Sequence, residues 1–348
     1  MLIRLAVRDL QFRRRRFAIA IVGAALVFGL SLVVQGLAES FDRETSDTLA
    51  RTGVEHWFVS SRSTGPFTGF TPLDPAQVDA LEGGIGRSAS RQLTTRQPIG
   101  TGDDRQDAGL VGVEPGALGA PRRVDEGRVV RGDGEAVVSR VAGRAVGTGI
   151  DVGGVRLRVV GVVDLTLLGG GAVVYTSLHQ AQSILGAGPI VTVVAARRSP
   201  DRLPRGITEM SEDQVHAATL RPLQPAIDTI AMMRTILWLV AALIVGSILY
   251  LNALERSSDV AVMKAIGVSS SSIVGSMLVE AAIITLISAV IADVVSVGLA
   301  PVFPMQVTIT PTWLVLLPLF ALVVSGLACI AAVRRAISVE PARAFGGA

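Results

Sequence analysis

Cysteine is nearly absent from this chain. Cys329 is the single one in 348 residues, so no intramolecular disulfide staples the fold, and within an apolar stretch it reads as a small apolar side chain. Lysine is equally scarce: of 32 basic side chains only Lys264 is a lysine, the rest being arginine. A P-loop needs Gly-Lys-Ser/Thr, because the ammonium reaches the β- and γ-phosphates and the hydroxyl ligates magnesium. Lys264 stands between Met263 and Ala265, so the chain carries no P-loop of its own. It also lacks a Gly-x-Ser-x-Gly nucleophile elbow and a His-Glu-x-x-His pair. Three histidines, His56, His179 and His216, lie far apart with no acidic partner at metal-ligand spacing, and they read as surface or strand-end side chains. Gly147-Thr148-Gly149-Ile150-Asp151-Val152-Gly153 has one residue too many for a dinucleotide fingerprint and reads as turns between strands. Charged residues make up only 18% and aromatics 4%. What fills the chain instead is apolar: half of all residues, with a mean hydropathy of +0.53, which points to a membrane protein.

The apolar residues concentrate in four runs, Phe17 to Leu37, Ile236 to Leu254, Ile273 to Leu299 and Trp313 to Val333. A helix rising ~1.5 Å per residue needs about 20 residues to cross a ~30 Å hydrocarbon core, and each run is long enough. The sequence therefore predicts four transmembrane helices: residues 17–37, residues 229–254 including an outward extension, residues 273–299 and residues 313–333. Arg13, Arg14, Arg15 and Arg16 precede the first run, and Arg334 and Arg335 follow the last, which places both termini in the cytoplasm. The loop 255–272 carries Arg256 and Lys264, whereas 300–312 has no Lys or Arg, so the former is predicted inside and the latter outside. Residues 38–228 then lie outside the cell membrane, their many arginines being no obstacle, since long domains translocate largely regardless of charge. A cleavable signal peptide is the rival reading of the N-terminus; its apolar core usually runs about 7–15 residues, and the 21 here favour an anchored span. Leu2, Leu5, Ala6 and Leu10, beside Arg4, Arg8 and Asp9, give residues 1–16 the pattern of an amphipathic helix at the cytoplasmic interface. Residues 334–348 form a cytoplasmic tail.

Between the first two spans the pattern changes to short alternating runs. Glu55 to Ser60, Glu135 to Ser139 and Val155 to Val163 read as strands. Asp74 followed by Pro75, and Ser177 followed nine residues on by a helix-stopping Gly186, mark helix starts and stops. Residues 60–72 and 99–134 are rich in Gly, Pro and charge and read as loops. About 190 residues suffice for one α+β domain inserted between spans one and two.

The interval Glu255 to Ser269 lies between two spans. Ser257 or Ser258 can cap a short helix, Asp259 suits its first turn, and Gly267 supplies a left-handed stop, with Ser269 to Ser272 capping the next span. Val260, Met263 and Ile266 recur every three residues as one apolar stripe beside Lys264. From this pattern alone two readings stand: a helix that inserts its stripe into a groove on a soluble partner, or one that lies on lipid headgroups.

Several stretches are similar to the FtsX/MacB-type (type VII) permeases of ABC transporters. Leu5-Ala6-Val7-Arg8-Asp9-Leu10 with Arg13 to Arg16 resembles the family's N-terminal entry. Gly134 to Ala142 and Gly153 to Val163 resemble the core of its extracytoplasmic domain. Arg256 to Ser269, with Met263-Lys264-Ala265-Ile266-Gly267, resembles its cytoplasmic signature, and Arg334-Arg335 with Val339-Glu340-Pro341-Ala342 its C-terminal end. Ser257-Ser258-Asp259-Val260 departs from that signature. The resemblance implies a non-catalytic membrane subunit that transmits motion to a MacB-like outer domain, for export, lipoprotein or lipid extrusion, or envelope regulation. It implies a separate ATPase in two copies that binds the ATP and Mg, no cofactor in this chain, and contact with that ATPase through Asp259, Val260, Met263, Lys264, Ile266 and Gly267. It further implies a second permease chain, identical or related, surrounding lipid, an extracytoplasmic protein partner, and no nucleic acid. Two other functions suit the architecture: a small-solute importer permease, or an FtsX-like regulator of a cell-wall hydrolase or signalling module. Glu280-Ala281-Ala282 resembles the importer loop motif, although Leu286 stands where that motif has Gly.

Glu280 and Asp293 are the carboxylates deep in a span, where an ionised group costs ~2.5–3.5 kcal/mol at the helix centre. Thirteen residues separate them, about 220° around a helix, so they cannot share a face as a proton relay. Glu280 is expected to hydrogen-bond within the bundle, and Asp293, near the outer end, to reach water.

Overall fold

The computed structural model describes residues 14–167, 170–255, 267, 269–302, 307 and 310–337. It divides into a helical unit, residues 1–40 with 226–348, and a sheet unit, residues 41–225. Helix α1 is Arg14–Thr52 and so contributes to both. The sheet unit then holds β1 (His56–Ser60), α2 (Pro75–Ile85), β2 (Ser90–Ile99), β3 (Gln106–Val113), β4 (Glu126–Gly127), β5 (Glu135–Ser139) and β6 (Gly149–Val152). It continues with β7 (Val155–Val163), β8 (Ala172–Thr176), α3 (Leu178–Leu185), β9 (Val193–Ala196), β10 (Ile207–Ser211) and α4 (Glu212–Leu220). The helical unit is completed by α5 (Gln224–Glu255), α6 (Ser270–Leu299) and α7 (Pro311–Ile337).

The described strands form one mixed sheet in the order β10-β1-β9-β2-β3-β8-β5-β7-β4, with β6 pairing β2 and β7. Two pairings are parallel, β3 with β8 and β5 with β7; the other neighbours run antiparallel. Side chains alternate across it with the period of two that a strand imposes. Leu110, Val138, Val159 and Val174 face one way, against Leu178 and Ala181 of α3. Their chain neighbours Val111, Val137, Val160 and Tyr175 face the other. At the far end of the sheet Trp57 and Val59 pack with Leu49 of α1 and Val215 of α4, while Phe58 turns to α2.

The three strands expected from alternation form at β1, β5 and β7. Both expected helix starts form as well. Gln77 Oε1 accepts from the Asp74 N–H at 3.1 Å in front of Pro75, and Ser177 Oγ accepts from the Gln180 N–H at 3.0 Å while Gly186 ends α3 in the left-handed region. Residues 61–72 carry no helix or strand. The reading of 99–134 as loop is corrected by β3, an interior strand with β2 on one side and β8 on the other. Its glycines signal a turn in sequence but serve packing: a Cβ on Gly112 would sit 2.3 Å from the Ala181 Cβ, so α3 can cross β3 only over a bare backbone. Gly149 to Val152 likewise forms β6, so the glycines on either side are turns and the middle of that run is not.

Beyond its apolar run, which ends at Leu37, helix α1 continues to Thr52. Phe41, Thr45, Thr48, Leu49 and Thr52 are buried at i, i+4, i+7, i+8 and i+11, one helical stripe inside the sheet unit. The Thr48 hydroxyl donates to the Thr166 carbonyl at 2.8 Å, which fixes that stripe against the segment after β7.

One ion pair in the sheet unit yields a prediction. Arg128 grips Glu135 with both guanidinium nitrogens, Nη1 at 2.8 Å from Oε2 and Nη2 on Oε1, and the Arg131 N–H donates to Oε2 at 2.9 Å. The Arg128 hydrogen bond, opposed by partial burial and aided by Arg131, pulls Glu135 from the ordinary 4.5 to about 2. A folded-state value below the unfolded one stabilises the fold above pH 4.5, and that stabilisation is lost as pH falls toward 2. Glu135→Gln is therefore expected to lower the thermal midpoint at pH 7, with the gap to the wild-type chain closing between pH 4.5 and 2. A gap that stays constant over that range would refute the assignment.

Candidate functional site

Among the described residues, three helical stretches are long and apolar enough to cross a membrane by length and composition: Phe17–Thr52, Glu212–Ser247 and Val274–Leu299, with a shorter apolar stretch, Pro311–Leu327, inside α7. Their outward faces carry large apolar side chains four residues apart, Leu26 and Leu30 on α1, Leu239 and Leu243 on α5, Val290 and Val294 on α6, and Leu319 and Val323 on α7, all exposed. Apolar surface on that scale is tolerated against lipid and not against water. Between the helices the contacts use small residues. Ala24, Ala241, Ala281, Ala292 and Ala321 are buried in one cluster with Phe17, Phe28, Met277 and Ile284. A Cβ on Gly29 would stand 3.3 Å from the Ala292 carbonyl oxygen, so α1 and α6 pass close together there.

A polar network joins three of the four described helices of the helical unit. Arg234 of α5 donates from Nη1 to Gln35 Oε1 of α1, and Gln35 Nε2 donates to Glu39 Oε1, one turn on, at 3.2 Å. The same Glu39 accepts from Trp313 Nε1 of α7 at 3.1 Å and from Thr310 Oγ1, just before α7, at 3.4 Å. Arg234 also lies over two indoles, 5.1 Å from the centroid of Trp238 and 5.1 Å from that of Trp313. Trp238 packs in turn on Phe320, centroids 4.2 Å apart. Thus one guanidinium and one carboxylate, too far apart in sequence to be paired by any spacing rule, hold α1, α5 and α7 in a fixed arrangement. Two donors in it, Arg234 Nε and Trp238 Nε1, are buried without a hydrogen-bond partner among the described residues.

Residues 18–210 match the family model of the MacB-like periplasmic core domain, and residues 231–341 match that of the FtsX-like permease C-terminal region. The chain belongs to the FtsX/MacB-type permeases of ABC transporters. Its curated relatives include an ABC transporter permease of Mycobacterium tuberculosis, 37% identical over 347 residues, with 98% of this chain and 99% of that one covered. A Mycobacterium bovis permease matches equally well, and a second Mycobacterium tuberculosis permease is 37% identical over 349 residues with the same coverage. Among solved structures, the extracellular domain of the noncanonic ABC-type transporter YknZ from Gram-positive bacteria aligns with TM-score 0.31 at 15% identity, covering 50% of this chain and 93% of that one. The periplasmic region of MacB from Actinobacillus actinomycetemcomitans aligns with TM-score 0.35 at 12% identity, covering 51% and 94%.

In the permease, Glu280 and Asp293 both lie on α6. Glu280 is buried, 2% exposed, within the bundle. Asp293 is partly exposed, and its Oδ1 is buried with no hydrogen-bond partner among the described residues. The cause is the packing of α6, whose neighbours Ala289, Ala292 and Ser296 are all fully buried. Gly267 takes φ +92°, a turn conformation that favours glycine, and the Ser269 hydroxyl caps α6 by accepting from the Ser272 N–H at 3.3 Å. Asp259, Val260, Met263, Lys264 and Ile266 lie outside the described residues, as does Arg13. Arg14, Arg15 and Arg16 open α1, and Arg334 and Arg335 stand in the last turn of α7.

The histidines do have acidic partners, which the sequence spacing concealed. His56 Nδ1 lies 2.7 Å from Glu209, His179 Nδ1 2.7 Å from Asp133, and His216 Nε2 3.3 Å from Asp42. Ser177, then His179, hold the Asp133 carboxyl below its usual range. The three pairs are separate, and among the described residues no three metal-ligating side chains converge.

Proposed function

We propose that this permease works by mechanotransmission: a separate ABC ATPase, bound to its cytoplasmic loop, moves the helices that lead to and from the extracytoplasmic domain. The observation that carries this reading is α1, 39 residues long. At ~1.5 Å per residue it extends about 58 Å, roughly twice a ~30 Å hydrocarbon core. Its last turns supply buried side chains to the sheet unit, and α5 follows that unit with another 32 residues. Displacement of such helices as rigid bodies changes the posture of the outer domain without a pore.

Four spans, the fourth being α7, place both termini and residues 255–272 in the cytoplasm and residues 38–228 outside. The loop offers Asp259, Val260, Met263, Lys264, Ile266 and Gly267 to a groove on the ATPase, with the apolar stripe inserted and Lys264 meeting a carboxylate. ATP and Mg belong to that partner. ATPase closure around nucleotide requires two ATPase copies and hence two permease chains, identical or related. The family match through residues 231–341 and the turn at Gly267 support this placement.

The test is co-purification with a candidate ABC ATPase partner co-expressed with the permease. Met263→Asp combined with Lys264→Glu is expected to abolish the association and the permease-dependent ATPase turnover, while leaving the permease folded in the membrane. Unaltered binding and turnover would sink the assignment.

A further inference from the structure

We propose that the sheet unit is also a binding site for a small amphiphilic organic anion, a phosphate or carboxylate carried on an apolar body. The site is a 540 Å³ cavity whose lining includes Arg87, Arg122 and Arg197 and no carboxylate. Among the described residues the side chains of these three arginines have no ion pair or hydrogen bond to the protein, although others in the same unit do: Arg91 is paired with Glu82, Arg128 with Glu135 and Arg140 with Glu126. Three uncompensated guanidinium groups on one cavity favour an anion, and their planar forks suit phosphate or carboxylate. An adjoining 320 Å³ cleft shares Arg122 and Arg197 and adds Glu55 and Glu212, so the two clefts together keep an excess of one positive charge, three against two, with both carboxylates lining the smaller one.

Most of the remaining lining is apolar, with Val113 of β3, Val137 of β5 and the flanking Val129 and Val130, and its polar members are Ser88, Ser90, Tyr175 and Thr176. The cavity is also built and held. On one side the turn from Pro115 to Pro121 is anchored through the Leu118 carbonyl, which accepts from Ser90 Oγ at 2.8 Å and from Gln92 Nε2 at 3.0 Å. Gly119 in that turn has φ +95°, and a Cβ there would fall 1.9 Å from Gln92 Nε2, so the wall closes only over glycine. On the other side Glu135 pins the segment that carries Val129 and Val130 by binding Arg128 and the Arg131 N–H. A preformed, mostly apolar cavity of roughly 300–1,000 Å³ with a few convergent charges is the usual form of a small-molecule site.

Titration calorimetry on the full chain in detergent tests the site, with phenyl phosphate and benzoate as probes. At least one is expected to bind saturably, more weakly as salt rises, and the triple variant Arg87→Gln/Arg122→Gln/Arg197→Gln to lose about tenfold or more, since charge-assisted hydrogen bonds go with each guanidinium. The three side chains hold no protein partner, so the variant is expected to keep its unfolding midpoint. Ala120→Trp, which fills the cavity without touching charge, is expected to abolish binding as well. Inorganic phosphate and benzyl alcohol, each lacking one half of the chemistry, are expected to bind at least about tenfold more weakly. Dihexanoyl phosphatidate separates the sources: tighter binding than phenyl phosphate assigns the head to a lipid, weaker binding to a free solute. No saturable binding of any organic anion, or binding unchanged in both variants, overturns the proposal. The measurement needs no ATPase, so its failure leaves the coupling reading untouched.

Discussion

Trp57→Ala is expected to destabilise the sheet unit by about 3–5 kcal/mol, the range for truncating a fully buried aromatic side chain. Against a typical domain stability of ~5–15 kcal/mol that is about a fifth of the total or more. Trp57 is 1% exposed and sits on β1, between β10 and β9. It packs in one cluster with Leu49 of α1, Val215 of α4, and Val193 and Ala195 of β9. Removing the indole therefore leaves a cavity shared by a strand and two helices, and the β-sheet pairing of β1 on both sides opposes collapse to fill it. Thermal unfolding followed by circular dichroism is expected to show a first transition about 6–20 °C lower, at ~2–4 °C per kcal/mol for a unit of this size. Trp57→Phe keeps most of the buried area and is expected to lose less than half as much. A midpoint unchanged in the alanine variant would show that this cluster does not hold the end of α1 in the sheet unit.

What the sequence could and could not show follows from the range of each interaction. Helix ends are local: Asp74-Pro75 and Ser177 through Gly186 contain their own stop and start chemistry, and the structure places them where that chemistry requires. Strands with a two-residue period, such as Val155 to Val163, are equally local. The strand β3 was concealed because Gly109 and Gly112 look like turn residues until Leu167 and Ala181, far along the chain, are seen to occupy the space their side chains would need. The end of α1 was concealed for a related reason. Ala38 to Thr52 is polar enough to leave a membrane, and its stripe of Phe41, Thr45, Thr48 and Leu49 acquires meaning only against the sheet. Candidate sites divide the same way. A lysine-bearing loop between apolar runs is visible in sequence, whereas the cavity needs Arg87, Arg122 and Arg197 brought together from three separate segments, in a chain where arginine is too common for any one to stand out. The carboxylate partners of the histidines are likewise fixed by sheet register and helix packing, as when His56 and Glu209 meet on adjacent strands.

The second large effect is expected at Arg234. Arg234 stands two residues before the apolar run of α5 that begins at Ile236, so the ~2.5–3.5 kcal/mol that a charge costs at a helix centre is an upper bound there, and Arg234→Met alone would favour the bilayer if the side chain did nothing. Its contacts offset that cost. A hydrogen bond from a charged donor contributes about 1.5–3 kcal/mol, and each ring contact about 0.5–2 kcal/mol, which sums to roughly 2.5–7 kcal/mol. Arg234→Met is thus expected to lower the stability of the bundle, and the more so because Gln35 and Glu39 would lose the cation that organises them across 199 positions of chain. Gln35→Leu is expected to be destabilising too, and the double variant no worse than the worse single one, a coupling of about 1.5–3 kcal/mol. Arg234→Lys keeps the charge without the planar fork or the stacking on Trp238 and Trp313, and is expected to fall between wild type and Met. The chain itself supplies the probe: of its three tryptophans, two flank Arg234, so in a Trp57→Phe background intrinsic fluorescence reads the bundle alone. Strictly additive losses would mean that the network is not a unit. If it is one, α1 and α5, the helices on either side of the sheet unit in the chain, are clamped at this level and move as a pair. Arg234→Met and Gln35→Leu are then expected to retain the proposed ATPase partner while losing the dependence of its turnover on the permease.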